Sequence, residues 1–314
     1  MSDPTGVVLM TFGSAVTSAD VPAYMASVRG GREAPAELIE EFRRRYDIVG
    51  RSPLVDITLQ QAASLQELLD SEHGRGAYIV RAGMLHSDPR VAAAIDELVE
   101  LGVRRAIGIV LAPQYSPIIL RGYARAAESA REAHPELQLQ IAGAWHTLPE
   151  WTGSLAARLR EAMAALPLSD TAAPVIFTAH SLPKSVVDRD PGYIDQLRAT
   201  ASAVAEEAGL APARWQFAYQ SAGHTPEPWL TPDVKDLLPA LRDQGVRTVL
   251  VAPVQFLTDH LEILYDIDVA AVDEARGLGI EMRRIAMPNA STELIAALAA
   301  VLRRELAAPG VTAA

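Results

Sequence analysis

Two short stretches carry side chains able to handle a proton or a divalent cation. In Thr178-Ala-His-Ser-Leu-Pro, His180 stands where an apolar run gives way to Pro183. A neutral imidazole takes up a proton or ligates a metal near neutral pH. The neighbouring Ser181 lacks the Gly-x-Ser-x-Gly elbow of a hydrolase nucleophile. The second stretch, Phe256-Leu-Thr-Asp-His-Leu-Glu-Ile-Leu-Tyr-Asp-Ile-Asp, sets Asp259, Glu262 and Asp266 at spacings of three and four. On a helix that is one face, with His260 beside it. Three carboxylates on one stripe repel unless a cation or a basic partner lies among them. Plainer readings stand beside these. His180 equally suits a strand-end imidazole bonded to backbone, and the stripe equally suits a solvated acidic face at a helix start, where the dipole favours anions.

The remaining motifs narrow the chemistry. Gln220-Ser-Ala-Gly-His-Thr-Pro-Glu-Pro-Trp-Leu-Thr-Pro-Asp is a long polar loop stiffened by proline, of the kind that often carries function. Pro117-Ile-Ile-Leu is an apolar patch in a loop region, suited to an apolar ring edge or to a buried turn of helix. Gly-x-Gly-x-x-Gly and the P-loop pattern are both missing, so phosphate chemistry has little support. The chain has no cysteine, which excludes disulfides, thiolate metal sites and iron–sulfur clusters together. Any metal is then held by His, carboxylate, Tyr or Met. A net charge of −11 argues against a nucleic-acid partner. No run reaches the roughly 18 apolar residues of a spanning helix, and the N-terminus lacks the form of a signal peptide. The expectation is a cytoplasmic protein without a membrane span.

Apolar strands alternate with amphipathic helices throughout. Val7–Phe12, Tyr78–Gly83, Ala106–Ala112, Leu137–Ala142, Val175–Ala179, Trp215–Tyr219, Thr248–Ala252 and Glu281–Ala286 read as strands. Helices are expected at Pro35–Tyr46 and Thr58–Leu69, with a loop over Asp47–Pro53 between them, and Ser291–Ala307 closes the chain. This order predicts an α/β fold of parallel sheets with helices on both faces. Gly102-Val-Arg-Arg-Ala-Ile-Gly-Ile-Val-Leu-Ala-Pro echoes Gly245-Val-Arg-Thr-Val-Leu-Val-Ala-Pro, and each proline is followed by Gln and an aromatic, Gln114-Tyr115 and Gln255-Phe256. The echo predicts two similar Rossmann-like, doubly wound domains, about 1–150 and 151–314, facing one another across a cleft. Ligands in such folds meet the loops beyond the strands' carboxyl ends, where His180 and Glu262 fall.

Taken together, Thr178-Ala-His-Ser-Leu-Pro, Gln220-Ser followed by Pro228-Trp-Leu-x-Pro, and the Phe256–Asp268 stretch resemble the ferrochelatase family. Arg29-Gly-Gly-Arg, Arg45-Tyr46, Ser52-Pro53 and Tyr115-Ser116 with Tyr123 look like the substrate side of the soluble bacterial branch, which inserts ferrous iron into coproporphyrin III. The resemblance implies a metal chelatase of the lyase class, acting in haem biosynthesis with Fe2+ as its metal substrate. It implies His180 and Glu262 as the paired metal-site and catalytic residues across the porphyrin cleft, with Phe12, Arg29, Arg45, Tyr46, Ser52 and Tyr123 on the substrate. Asp266 and Glu274 match an acidic stripe that conducts protons or holds a weak second ion such as Mg2+, although Ala270 stands where the stripe often has another acid. A closing helix that packs back on the first domain is part of the same expectation.

One departure bears on the substrate. Phe12 stands where the soluble branch often has a tyrosine that ligates iron in the product. Protoporphyrin IX therefore remains the alternative substrate; a sirohydrochlorin-type chelatase and a non-catalytic porphyrin binder are further ones. The expected partners are the porphyrin and transient contacts with other haem-pathway enzymes, with no nucleic acid, and the expected state is a monomer.

Overall fold

The computed structural model describes residues 3–223 and 226–308. Its strands are β1 (Thr5–Thr11), β2 (Tyr78–Met84), β3 (Arg105–Val110), β4 (Gln138–Ile141), β5 (Val175–His180), β6 (Trp215–Gln220), β7 (Thr248–Pro253) and β8 (Glu281–Arg284). Between and around them run α1 (Val21–Val28), α2 (Ala36–Val49), α3 (Leu54–His73), α4 (Val91–Glu100), α5 (Arg121–Ala133), α6 (Pro149–Ala164), α7 (Lys184–Val187), α8 (Gly192–Glu207), α9 (Val234–Asp243), α10 (Val272–Gly277) and α11 (Thr292–Ala307). A π-helix, Glu262–Ala271, leads directly into α10.

The strands form two parallel four-stranded sheets with orders β2-β1-β3-β4 and β6-β5-β7-β8. The two orders are the same, and the echoed segments β3 and β7 occupy the same place in each. Both are preceded by a glycine at positive φ, Gly102 (88°) and Gly245 (81°), where a side chain would be strained. Strands covered on both faces read as continuous apolar runs rather than alternating ones; residues 7–10 of β1 and 249–252 of β7 are all buried.

One core cluster joins the sheets. Leu9 and Ile107 of the first sheet, Phe177 and Leu250 of the second, Trp151 of α6 and Leu298 of α11 all belong to it. Each such fully buried side chain contributes roughly 1.5–3 kcal/mol of transfer free energy. The closing helix α11 lies against α3 and α6, so a change at either end of the chain is felt in the same core. Among the described residues no helix is long and apolar enough to cross a membrane.

Two sequence expectations need correction. Helix α2 runs through Asp47-Ile-Val to Val49 and α3 already begins at Leu54, so the loop expected over 47–53 shrinks to Gly50–Pro53. Gly50, at φ 87°, ends the first helix and Pro53 precedes the second, as glycine and proline do at helix ends. Asp259 is not on a helix with Glu262 and Asp266. The π-helix, a form common at functional sites, begins at Glu262, and Asp259 lies in the segment before it.

Candidate active site

The carboxyl ends of β1, β3, β5 and β7 open on a single cavity of about 580 Å³, a size suited to a cofactor-like ligand. This is the β1/β3 and β5/β7 switch point of the two sheets, where doubly wound folds take ligands. Much of the wall is apolar: Phe12, Phe42, Leu111, Ile119, Leu182 and Trp229 among others. Polar groups gather at one pole, namely Arg45, His180, His260, Glu262 and Asp266.

His180 is the last residue of β5. Its Nδ1 faces the Ser181 carbonyl oxygen, which can only accept, so the proton sits on Nδ1. His260 is fixed the same way, Nδ1 donating to the Thr258 carbonyl at 3.0 Å. Both Nε2 atoms are thereby left toward the same oxygen. Glu262 Oε2 is 3.5 Å from His180 Nε2 and 3.7 Å from His260 Nε2. The Glu262 side chain is 38% exposed and that of His180 26%, both as part of the cavity wall.

The charges are strongly coupled. Burial alone would raise the Glu262 carboxyl, but His180, His260 and Arg45 outweigh it and hold it at about 2. Burial pulls His260 down, yet its hydrogen bond to Glu262 and that group's charge, with help from the Thr258 carbonyl and Asp259, lift it above the ordinary imidazole value. Asp266, one π-turn beyond, is pushed above the usual range by burial and by the charge of Glu262, against the pull of Ser221 and Arg45. The pole therefore holds one firmly ionised carboxylate, a second carboxyl raised by its burial, and two imidazoles whose Nε2 atoms face the ionised one.

Long-range contacts set these side chains in place. Thr178 Oγ1 donates to Gln220 Oε1 at 2.7 Å, Ser181 N donates to the Gln220 carbonyl at 2.7 Å, and Ser181 Oγ donates to the Leu230 carbonyl at 2.9 Å. The Gln220 and Pro228-Trp-Leu motifs thus clamp the His180 segment, and the Trp229 ring lies 6.5 Å from the His180 ring. Gly223 is required beneath that ring, since an added Cβ would come within 2.5 Å of it. The middle of this loop, residues 224–225, lies outside the described residues. On the other side, Arg284 donates to Asp259 at 2.7 Å and twice to Asp268, at 2.7 and 2.8 Å. Asn289 Nδ2 donates to Asp259 Oδ2 and Asp259 N donates to Asn289 Oδ1, each at 2.8 Å. Asp259 is therefore spent on holding the turn that presents His260 and Glu262.

The expected substrate-side residues divide. Phe12, Arg45, Tyr46 and Tyr123 line the cavity. Phe12 is 43% exposed there, its ring 4.5 Å from that of His86. Arg45 donates to Glu41 at 2.9 Å and to Asp266 at 3.3 Å, with its guanidinium 5.0 Å from the Tyr265 ring centre. Tyr46 OH donates to the Ala15 carbonyl at 3.0 Å. Ser52 is buried and shares a hydroxyl hydrogen bond with Ser14 at 3.0 Å, outside the wall. Arg29 is exposed at the end of α1, the helix that supplies Tyr24 to the wall, and Glu274 is exposed on α10. Ser116 caps its own turn, accepting from the amides of Ile118 and Ile119. Among the described residues, no three imidazole or acidic groups converge as a ready metal cage; Arg45 is the basic group beside Asp266.

Sequence reasoning overlooked Tyr24, Phe42, Tyr193 and Gln255 in the wall, and Arg284 and Asn289 behind it. Gln255 carried a signal, its place after the echoed proline. Arg284 and Asn289 carried none, because their partners are 16 to 30 residues away.

The family model described as ferrochelatase matches residues 4–306. The ferrochelatase of Deinococcus radiodurans is 36% identical over 97% of this chain and 96% of its own length. The coproporphyrin III ferrochelatase of Geobacillus kaustophilus is 35% identical over 97% of each. Among solved structures, SirB from Bacillus subtilis with Fe3+ superposes with a TM-score of 0.61 at 12% identity, covering 97% of this chain and 96% of that one, a likeness of fold.

Proposed function

The chain belongs to the ferrochelatase family and is a metal-chelatase enzyme; from that premise we propose that it inserts Fe2+ into coproporphyrin III. The observation that carries this reading is one carboxylate oxygen facing two imidazole Nε2 atoms at the pole of an apolar cavity. Insertion exchanges Fe2+ for two pyrrole protons, so the site must take two protons and release the metal. An imidazole and a carboxylate bind ferrous iron without the tight hold of thiolates. The lone pair on His180 Nε2 accepts one pyrrole proton, gives it up to solvent through the open cavity, and then accepts the second. Glu262, kept ionised, meets the incoming cation and steadies the imidazolium that results. Asp266, on the same wall, extends the acidic stripe along which those protons leave the imidazole. The apolar wall holds the macrocycle and excludes water.

For the substrate, the support is the likeness to the coproporphyrin III ferrochelatase of Geobacillus, together with Arg45, Tyr46 and Tyr123 on the wall and Arg29 beyond it. Coproporphyrin carries four propionates, which guanidinium and phenol groups recognise by charge-assisted hydrogen bonds. Protoporphyrin IX, with two, is the second reading. It is favoured by Phe12, which offers no oxygen, by the commitment of Arg45 to Glu41 and Asp266, and by the burial of Ser52. The same proposal draws the boundary between the lobes near residue 150 and assigns any weak second cation to Asp266 and Glu274.

The test is anaerobic Fe2+ insertion followed by absorbance, with both porphyrins in parallel, for wild type and His180→Ala. Turnover of coproporphyrin III that collapses in the variant is expected. Preference for protoporphyrin IX would reassign the substrate, and full activity in His180→Ala would overturn the role given to that residue.

A further inference from the structure

We propose that Gln255 is the positioning residue that holds His180 for the reaction, an inference that rests on the role given to His180 above. The pairing of β5 with β7 ends at Thr178 and Pro253, and Val254 N makes the last backbone bond, to the Thr178 carbonyl at 2.9 Å. Beyond that point the amide of His180 has no ladder partner on the β7 side. The side chain of Gln255 replaces one: its Oε1 accepts from His180 N at 2.7 Å. Loss of this acceptor would leave a half-buried amide unpaired, so this contact fixes where β5 ends and where the imidazole begins.

The other end of the same side chain is also engaged. Gln255 Nε2 donates to Tyr193 OH at 2.6 Å, and Tyr193 is buried in the first turn of α8. That helix is held in turn by the first lobe. Tyr115 N donates to Gln196 Oε1 and Gln196 Nε2 donates to the Tyr115 carbonyl, both at 2.8 Å. Gln114, the counterpart of Gln255 in the repeated pattern, donates to Thr200 Oγ1 at 3.0 Å. Both echoed glutamines therefore bind α8, one from each lobe. The chain of bonds runs from His180 through Gln255, Tyr193 and α8 to the loop that carries Ile119 and Leu120 on the first lobe's part of the cavity wall. A macrocycle resting on that wall and the imidazole that serves it are held in one frame. Because Ser181 fixes the ring through Nδ1, moving the His180 amide moves Nε2 with it.

The test compares Gln255→Leu, Gln255→Glu and Tyr193→Phe with wild type and His180→Ala in anaerobic Fe2+ insertion, alongside porphyrin binding by fluorescence quenching. The leucine variant, which fills the space without accepting, is expected to lose about tenfold in kcat, a larger change than in porphyrin Kd. The glutamate variant keeps an acceptor and is expected to recover to within about threefold. In amide NMR spectra the His180 proton is expected to move upfield in the leucine variant and stay near its wild-type position in the glutamate one. Should the leucine variant not fold, the glutamate variant and Tyr193→Phe, expected to lose two- to fourfold in kcat, carry the test. Wild-type kcat in the leucine variant, or equal loss in the leucine and glutamate variants, would overturn the proposal while leaving His180 in place. Full activity in His180→Ala would instead remove the reading on which it rests.

Discussion

Replacing Arg284 with methionine is expected to destabilise the fold and slow metal insertion without weakening porphyrin binding. Arg284 is 15% exposed, and the two carboxylates it joins, Asp259 and Asp268, are 22% and 33% exposed. Burial opposes its charge, but Asp268 first and then Asp259 hold the guanidinium above even the usual arginine range. Breaking a fully buried pair by removing one partner costs about 3–5 kcal/mol; partial exposure of these carboxylates reduces that to about 2–3 kcal/mol. An unfolding entropy of about 2.1 cal/mol/K per residue, over 314 residues, gives a fall in melting midpoint of about 3–5 °C. The functional loss has a separate cause. Arg284 ties the turn holding Asp259 to the π-helix holding Asp268, and His260 and Glu262 lie between the two. Releasing that turn is expected to lower kcat about tenfold. Calorimetry and anaerobic insertion kinetics read the two effects. A triple variant that also carries Asp259→Asn and Asp268→Asn leaves no orphaned carboxylate, so it should regain most of the lost stability but not the rate. An Arg284→Met protein that melts within 1 °C of wild type and turns over at the wild-type rate would refute the argument.

Other outcomes follow from the same pole. The Glu262 carboxyl is depressed, so its stabilisation is present above the unfolded value near 4.5 and is lost as pH falls toward 2. His260 is raised, so its stabilisation is present below 6.5 and is lost as pH rises through its folded value. In Glu262→Gln burial acts on His260 without that partner. The variant's melting midpoint should then fall less steeply with pH across the imidazole range than that of wild type; parallel slopes would show that the two groups do not interact. Phe12→Tyr adds a phenol to the cavity wall. Ferric coproporphyrin bound to the variant should gain a visible phenolate-to-iron charge-transfer band absent from wild type, and identical spectra would show that position 12 does not face the metal.

The elements were legible in the sequence because their burial is local information. Parallel strands covered on both faces spell apolar runs, and β1, β3, β5 and β7 are such runs. The shared strand order was legible through Gly102 and Gly245 and the residues after them. The pole of the cavity was legible in part. His180 and Glu262 stand in motifs that belong to strand ends, and the structure brings them within 3.5 Å. What failed was partner choice. Arg45 meets Asp266 across 221 positions and Arg284 meets Asp259 across 25, and no periodicity carries such information. Asp259 shows the consequence. Its spacing from Glu262 suited a helix face, but its amide donates to the Asn289 side chain, which holds it outside the helix, and its carboxylate went to Arg284 and Asn289. The π-helix was equally hidden, since an i→i+5 register differs from i→i+4 by one acceptor per turn while side-chain pattern stays almost the same.

The repeat has a further consequence for how the site is divided. Equivalent strand ends supply different chemistry in the two lobes. At the end of the first strand of each sheet stand Phe12-Gly13-Ser14 in one and His180-Ser181 in the other; beyond the third stand Gln114-Tyr115 and Gln255-Phe256. The first lobe brings mainly rings and aliphatic groups to the cavity, with Arg45 as its charged contribution to the pole and Gly13 held at φ 89° so that the chain passes close to Ser87. The second brings the imidazoles and the carboxylates. Such a division suits a planar apolar ligand whose reacting atoms lie at its centre, because one wall then binds the plane while the other meets the metal and the protons. It also places the demand for rigidity on the second lobe. An apolar wall tolerates shifts of a few tenths of an ångström, since dispersion contacts are many and individually weak. A proton acceptor at the wrong distance does not. The hydrogen-bond density follows that demand: Gln220, Leu230 and Gln255 converge on His180 and Ser181, Arg284 and Asn289 on the turn before Glu262, whereas Phe12 is held beside His86 by ring packing and backbone bonds.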